Sequence, residues 1–172
     1  MALRGRDGDP PVTEEQTMRS SIICGVDGSD ESRAALRVAA ELADRLGLRL
    51  VMAHVSAPDV YASGLEPEAP PMAAASDMSR AGKLLLERVA ELEAIPNGER
   101  RVLCGLPAER LADLADEETG RMIVVGSRGR GAFKSAFLGS VSSDVIGLAR
   151  CPVLVVPPAA DEPRAAAAET SE

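Results

Sequence analysis

Residues 122–156 read MIVVGSRGRGAFKSAFLGSVSSDVIGLARCPVLVV, and the fold follows from how that stretch divides. Met122 to Val125 is a short aliphatic run, and Gly126 to Ser140 is rich in glycine and basic residues. Ser140 to Ala149 then carries Val141, Val145 and Leu148 at helical spacing, and Val153 to Val156 is a second aliphatic run. Strand, glycine loop, helix and strand in that order form a right-handed crossover between two parallel strands. The near-continuous apolar character of both runs suits strands covered on both faces, as in a parallel sheet.

The same unit recurs upstream. Ser21 to Val26 (SIICGV), Arg49 to Val55 (RLVMAHV) and Arg100 to Cys104 (RRVLC) supply three more strands. Ser29 is placed to cap a helix with Ala35, Val38, Leu42 and Leu46 on one stripe, ended by Gly47. A second helix spans about Ser76 to Ile95, with Met78, Leu85, Val89 and Leu92 at helical spacing and Pro96 as its stop. Pro107 suits the first turn of a third, which carries Leu111 and Leu114. The series βαβαβαβαβ predicts an α/β fold: a doubly wound, five-stranded parallel sheet with helices on both faces. Its expected limits are residues 20–157. Residues 1–19 and the acidic, alanine-rich 158–172 are expected to be disordered tails. The long connection Ser56 to Ala75, rich in Pro and Ala, reads equally as a mobile flap or as solvent-exposed slack.

Composition narrows the partners. At 172 residues and 45% hydrophobic the chain supports one core, and with 2% aromatics that core must be aliphatic. A net charge of −8 argues against nucleic acid or an anionic membrane surface as the main partner, since phosphate backbones demand a basic face. Apolar runs fall far short of the ~20 residues that span a bilayer. Cys24, Cys104 and Cys151 have no metal-ligand spacing and lie in or beside aliphatic runs, which predicts buried, reduced thiols and a cytoplasmic protein.

Against that acidic background, Arg128, Arg130 and Lys134 lie in a stretch from Met122 to Val141 without a carboxylate. Gly126, Gly129 and Gly131 let backbone amides approach an anion closely. The helix starting near Ser140 adds unpaired N–H groups, a positive dipole end and the hydroxyls of Ser140 and Ser142. A phosphate cradle is the expectation. Phe133 and Phe137 read as hydrophobic anchors of the loop. Asp27 closes the first strand in GVDGSD, where it serves either as a turn or cap residue or as a ligand to ribose or a divalent ion. His54, the single histidine, reads as a packed strand-end residue, and the neighbouring Val55 offers backbone groups that could read a purine edge.

The pattern Gly126-x2-Gly129-x9-Gly139-Ser140, with the following helix and PVLVV, resembles the ATP-binding signature of the universal stress protein family. The resemblance runs from Ser21 to Val156 and includes Val26-Asp27-Gly-Ser29 and Ala53-His54-Val55. It implies a Rossmann-like (adenine nucleotide alpha hydrolase-like) sheet of order 3-2-1-4-5 that holds ATP, with Mg2+, at its carboxyl edge. Asp27 would then serve the ribose and phosphate region, with Mg2+ near it, and Val55 the adenine through its backbone. Val125, Gly126, Ser127, Arg128, Gly129, Gly139, Ser140, Val141 and Ser142 would hold ribose and triphosphate. A homodimer through Val153 to Val156 is also implied. Hydrolysis is expected to be slow or absent, because no His or Glu in these segments is placed as a base. The alternatives are a nucleotide-independent dimeric scaffold and an adenylating or ATP-hydrolysing enzyme of related architecture. A P-loop is excluded by spacing, since Ala132 follows Gly131 where lysine is required.

Overall fold

The computed structural model describes residues 20–56, 72–129 and 138–157. Strands β1 (Ser21–Gly25), β2 (Arg49–Ser56), β3 (Glu99–Cys104), β4 (Gly120–Gly126) and β5 (Val153–Val156) alternate with helices α1 (Asp30–Leu46), α2 (Met72–Leu92), α3 (Pro107–Glu117) and α4 (Ser140–Leu148). The strands form one parallel sheet in the order β3-β2-β1-β4-β5. Strand order reverses between β1 and β4, so their carboxyl ends flank the crevice where such sheets bind ligands.

Period-2 alternation divides the core between the two faces of the sheet. On one face Ile22, Cys24, Met52 and Val124 meet Ala35, Leu36, Ala39 and Ala43 of α1, together with Leu86, Val89 and Ala90 of α2. On the other, Ile23, Val51, Ile123 and Val125 meet Leu111 and Leu114 of α3 and Val145 of α4. No aromatic side chain enters either cluster among the described residues.

Ser29 caps α1 as predicted, its Oγ accepting from the Ser32 amide at 3.2 Å, and Gly47 ends it at φ 65°. The buried stripe differs from the predicted one. It runs through Ser32, Ala35, Leu36, Ala39 and Ala43; of the predicted residues Ala35 lies on it, Val38 and Leu42 are half-buried at its flank, and Leu46 in the last turn is exposed. Among the described residues of α2, Gly82, Leu86, Val89 and Ala90 are buried and Leu92 is exposed; in α4 Leu148 is exposed too. Helix α2 starts at Met72 and Ser56 belongs to β2, so what is left of the predicted insert lies outside the described residues, as do both tails. Cys24 is buried and Cys151 half-buried, but Cys104 is exposed at the end of β3, which corrects the expectation of three buried thiols. Among the described residues no helix is long and apolar enough to cross a membrane.

At the amino edge of the sheet, Glu118 accepts from Arg101 at 2.6 Å and Arg49 at 3.1 Å, and its backbone carbonyl takes the Ser21 hydroxyl at 3.0 Å. The Arg101 hydrogen bond, followed by the one from Arg49, holds the Glu118 carboxyl below its ordinary value. This cluster ties β1, β2 and β3 together at the end opposite the crevice.

Candidate functional site

Two loops meet at the carboxyl edge. The first leaves β1 at Val26, whose N–H donates to the Ala53 carbonyl at 2.8 Å and so holds the chain beside β2. Asp27 follows. Its Oδ1 accepts from the Ser29 N–H at 2.9 Å and the Ser29 hydroxyl at 2.6 Å, and Gly28 makes the turn at φ 83°. One carboxylate oxygen is thus committed to the turn that launches α1. The other, Oδ2, faces the second loop: a Cβ placed on Gly129 would stand 2.5 Å from it. Asp27 and Gly129, 102 positions apart in sequence by subtraction (129 − 27), are therefore brought face to face.

The second loop leaves β4 at Gly126. Ser127 N–H donates to the Val156 carbonyl of β5 at 2.7 Å, and the Ser127 carbonyl accepts from Gly139 N–H at 2.7 Å. The two ends of the loop are closed on one residue. The Ser142 hydroxyl lies 3.0 Å from the same carbonyl and 2.9 Å from that of Gly139. Ser142 is only 2% exposed, so its hydroxyl serves the loop's closure. Ser127 is 5% exposed, and its Oγ has no hydrogen-bond partner among the described residues. A buried hydroxyl without a partner is costly unless a ligand or water meets it.

Helix α4 begins on Gly139, which supplies no side-chain cap. The first intrahelical bond comes from Ser143 N–H to the Gly139 carbonyl, leaving the amides of Ser140, Val141 and Ser142 as the open end of the helix dipole. Ser140 is exposed there and Val141 half-buried. Val125 is 4% exposed and packs in the core, so what it can present to the crevice is backbone. Gly126 has a different neighbour, since a Cβ there would lie 2.8 Å from the backbone carbon of Glu31 in α1. Arg128 is half-buried beside the loop closure. Arg130, Gly131, Phe133, Lys134 and Phe137 lie outside the described residues.

At the end of β2, Val55 is half-buried with its backbone on the β1 side, past the last residue of that strand. His54 Nδ1 lies 2.8 Å from the Val26 carbonyl, one residue before Asp27. The arrangement can therefore offer an anion three helix-terminal amides and a buried hydroxyl, a diol one carboxylate oxygen, and a heterocycle one pair of backbone groups. Among the described residues no cluster of three or more His, Cys, Asp or Glu could hold a metal, so a divalent ion here would need phosphate oxygens beside Asp27. A groove of about 650 Å³ between α3 and α4 adjoins this site, sharing Ser140 and Val141 with it and carrying Glu109 and Asp144 on its far walls.

Residues 18–157 match the model of the universal stress protein family. The chain belongs to the universal stress protein family. A universal stress protein of Thermus aquaticus is 37% identical over 141 residues, covering 81% of this chain and 99% of that protein. One from Mycolicibacterium smegmatis is 38% identical over 143 residues, covering 81% of this chain but 46% of its own length, so this chain spans about half of that relative. Among solved structures, the hypothetical protein MJ0577 has a TM-score of 0.67 at 26% identity, covering 81% of this chain and 96% of that one.

Within this universal stress protein fold, the sequence reading identified both loops and the helix terminus but missed three contacts. They are the His54 link to Val26, the Ser127 tie to β5 and the packing of Gly126 on Glu31. The position of His54 at a strand end was visible. Its partner was not, since a carbonyl acceptor on another strand leaves no mark in the letters.

Proposed function

We propose that this universal stress protein binds ATP with Mg2+ in the crevice between β1 and β4 and acts as a nucleotide-dependent stress-response switch in the cytoplasm. The observation that carries the reading is the approach of Asp27 Oδ2 to Gly129, which puts a ribose-binding carboxylate against the glycine loop that leads to the open terminus of α4. The triphosphate lies along the amides of Ser140 and Val141, with the buried Ser127 hydroxyl, Gly129 and Arg128 beside it. Val125 and Gly126 form the strand end beneath the ribose, and Ser142 holds the loop closed. Val55 meets the adenine through its main chain. Mg2+ bridges phosphate oxygens near Asp27.

Turnover is slow or absent on this reading. Asp27 has one oxygen committed to the α1 turn, and His54 stands at the base end of the site, away from the γ-phosphate. Two copies pair through β5, whose four half-buried aliphatic residues have a neighbouring strand on one side within the protomer.

Calorimetric titration with MgATP tests the site. The wild type is expected to bind and Gly129→Ala to bind far more weakly, because the added methyl displaces the Asp27 carboxylate. Mass spectrometry of nucleotide released on denaturation supplies an independent check. Equal titrations from both proteins would defeat the reading.

A further inference from the structure

The hydrogen-bond ladder between β1 and β2 stops one bond short of where its register carries it. It opens with Arg49 N–H donating to the Ser20 carbonyl at 3.1 Å, and its register runs from Ser21↔Arg49 to Gly25↔Ala53. Past the strand end, Val26 N–H still donates to the Ala53 carbonyl at 2.8 Å. In a parallel ladder the next bond joins the amide two residues on to the same residue's carbonyl, here Val55 N–H to Val26 C=O. That carbonyl is met instead by His54 Nδ1 at 2.8 Å. A carbonyl only accepts, so Nδ1 carries the proton.

The orientation of Val55 follows from its neighbours. Ser56 accepts from Gly105 N–H at 3.1 Å, so the even-numbered residues of β2 direct their backbone groups to β3. Val55, like Ala53, directs its N–H and C=O to the β1 side. Helix α2 packs closely over this part of the sheet: a Cβ on Gly82 would stand 2.6 Å from Val102 Cγ1 and 3.0 Å from His54 Cδ2, so the glycine leaves room for β3 and for the ring together.

We infer that His54 is a positioning residue that selects the base: by occupying the Val26 carbonyl it keeps the Val55 main chain available to the Watson–Crick edge of adenine. This rests on the nucleotide reading above and adds to it the origin of base preference. Val55 N–H donates to the unprotonated ring nitrogen N1, and Val55 C=O accepts from the 6-amino group. Hypoxanthine and guanine present the opposite order, a protonated N1 and a 6-oxo group. With ribose and phosphates held at Asp27 and the α4 terminus, the base cannot shift to restore the match, and each mismatched group is left without a partner.

Two measurements test this. In the ligand-free wild type, the Val55 amide is expected to exchange with solvent faster than that of Ala53. In His54→Leu, where the Val26 carbonyl is released to the ladder, it becomes protected by about tenfold or more. Titration with ATP and ITP should show the wild type favouring ATP. His54→Leu should lose about tenfold in ATP affinity with little change for ITP, the equivalent of one hydrogen bond. His54→Asn, whose Nδ2 lies as many bonds from Cα as Nδ1 does, should restore the preference. A Val55 amide already protected in the wild type overturns the assignment without any variant. So does an unchanged ATP:ITP ratio in a folded His54→Leu protein that still binds ATP. A wild type that binds neither triphosphate overturns the nucleotide reading itself, and base selection with it.

Discussion

Replacing Gly139 with Asp should make the protein more stable and a poorer ligand binder at once. Gly139 is the N-cap of α4, with φ −78° and ψ 169°, a conformation open to any residue. Among the described residues, a Cβ there meets nothing closer than 3.5 Å, at Arg128 Cα and the Ser127 carbonyl, so an aspartate fits against them without strain. Its carboxylate would accept from the free amides of the first turn and oppose the positive end of the dipole. Relative to Gly, the cap adds a few tenths of a kcal/mol and the charge about 0.3–1 kcal/mol. The melting temperature should rise by about 2–3 °C for a domain of this size. The same carboxylate stands where the proposed phosphate would. Two like charges about 4 Å apart repel by roughly 4 kcal/mol at the effective dielectric of a protein surface, and the amides would be occupied as well. ATP affinity should fall by at least about 100-fold. Gly139→Ser, which caps without adding charge, should lie between wild type and Gly139→Asp in binding. Differential scanning calorimetry and titration calorimetry on the three proteins decide the matter. A Gly139→Asp protein that melts higher and binds ATP like the wild type would refute the argument that these amides hold phosphate.

Further outcomes follow from the same geometry. Gly126→Ala should lower stability by about 1–3 kcal/mol in denaturant unfolding, because its Cβ meets the Glu31 backbone at 2.8 Å; Gly129→Ala, which among the described residues meets the carboxylate tip of Asp27, should change stability little. Glu118→Gln should cost about 0.5–1 kcal/mol near pH 7, since its arginine partners are partly exposed. The folded Glu118 carboxyl is held below its ordinary value of 4.5, so its contribution is present above that value and is lost as pH falls below it. Stability curves of wild type and variant should therefore draw together as pH falls below 4.5. Burial pushes the Cys24 thiol up to about 12, whereas Cys104 is exposed, so mass-resolved alkylation at pH 8 should label Cys104 quickly and Cys24 only on unfolding.

Most of the fold was legible because strand type and helix limits depend on local pattern. Ile22, Ile23 and Cys24 alternate between two covered faces, and a run without polar interruptions announces that condition directly. Ser29 and Gly47 mark the ends of α1 through chemistry carried by single residues. The stripe on α1 was legible in part: Ala35 is buried and Leu42 packs on the core as its spacing implies, but the centre of the contact is shifted to Leu36 and Ala39, and Leu46 in the last turn is exposed. Cys104 failed similarly, for the end of an aliphatic run on an outer strand is also the end of its cover.

The site was legible as a motif but not as a set of separate physical tasks. Gly126, Gly129 and Gly139 are equivalent letters in the pattern, yet each lacks a side chain for its own reason. At 126 the constraint comes from the backbone of Glu31, so a substitution there tests the packing of α1 before it tests any ligand. At 129 the neighbour is Asp27 Oδ2, and the glycine sets how close the two loops approach. At 139 no described residue crowds the missing Cβ, and what the glycine preserves is access to the first amides of α4. Loss of function at Gly126 is therefore weak evidence about nucleotide binding, while loss at Gly139 with stability raised places the effect at the α4 terminus, through its occupied amides and the charge set beside them. Of the three positions, the one with most room around it is the one whose substitution tests the site most sharply.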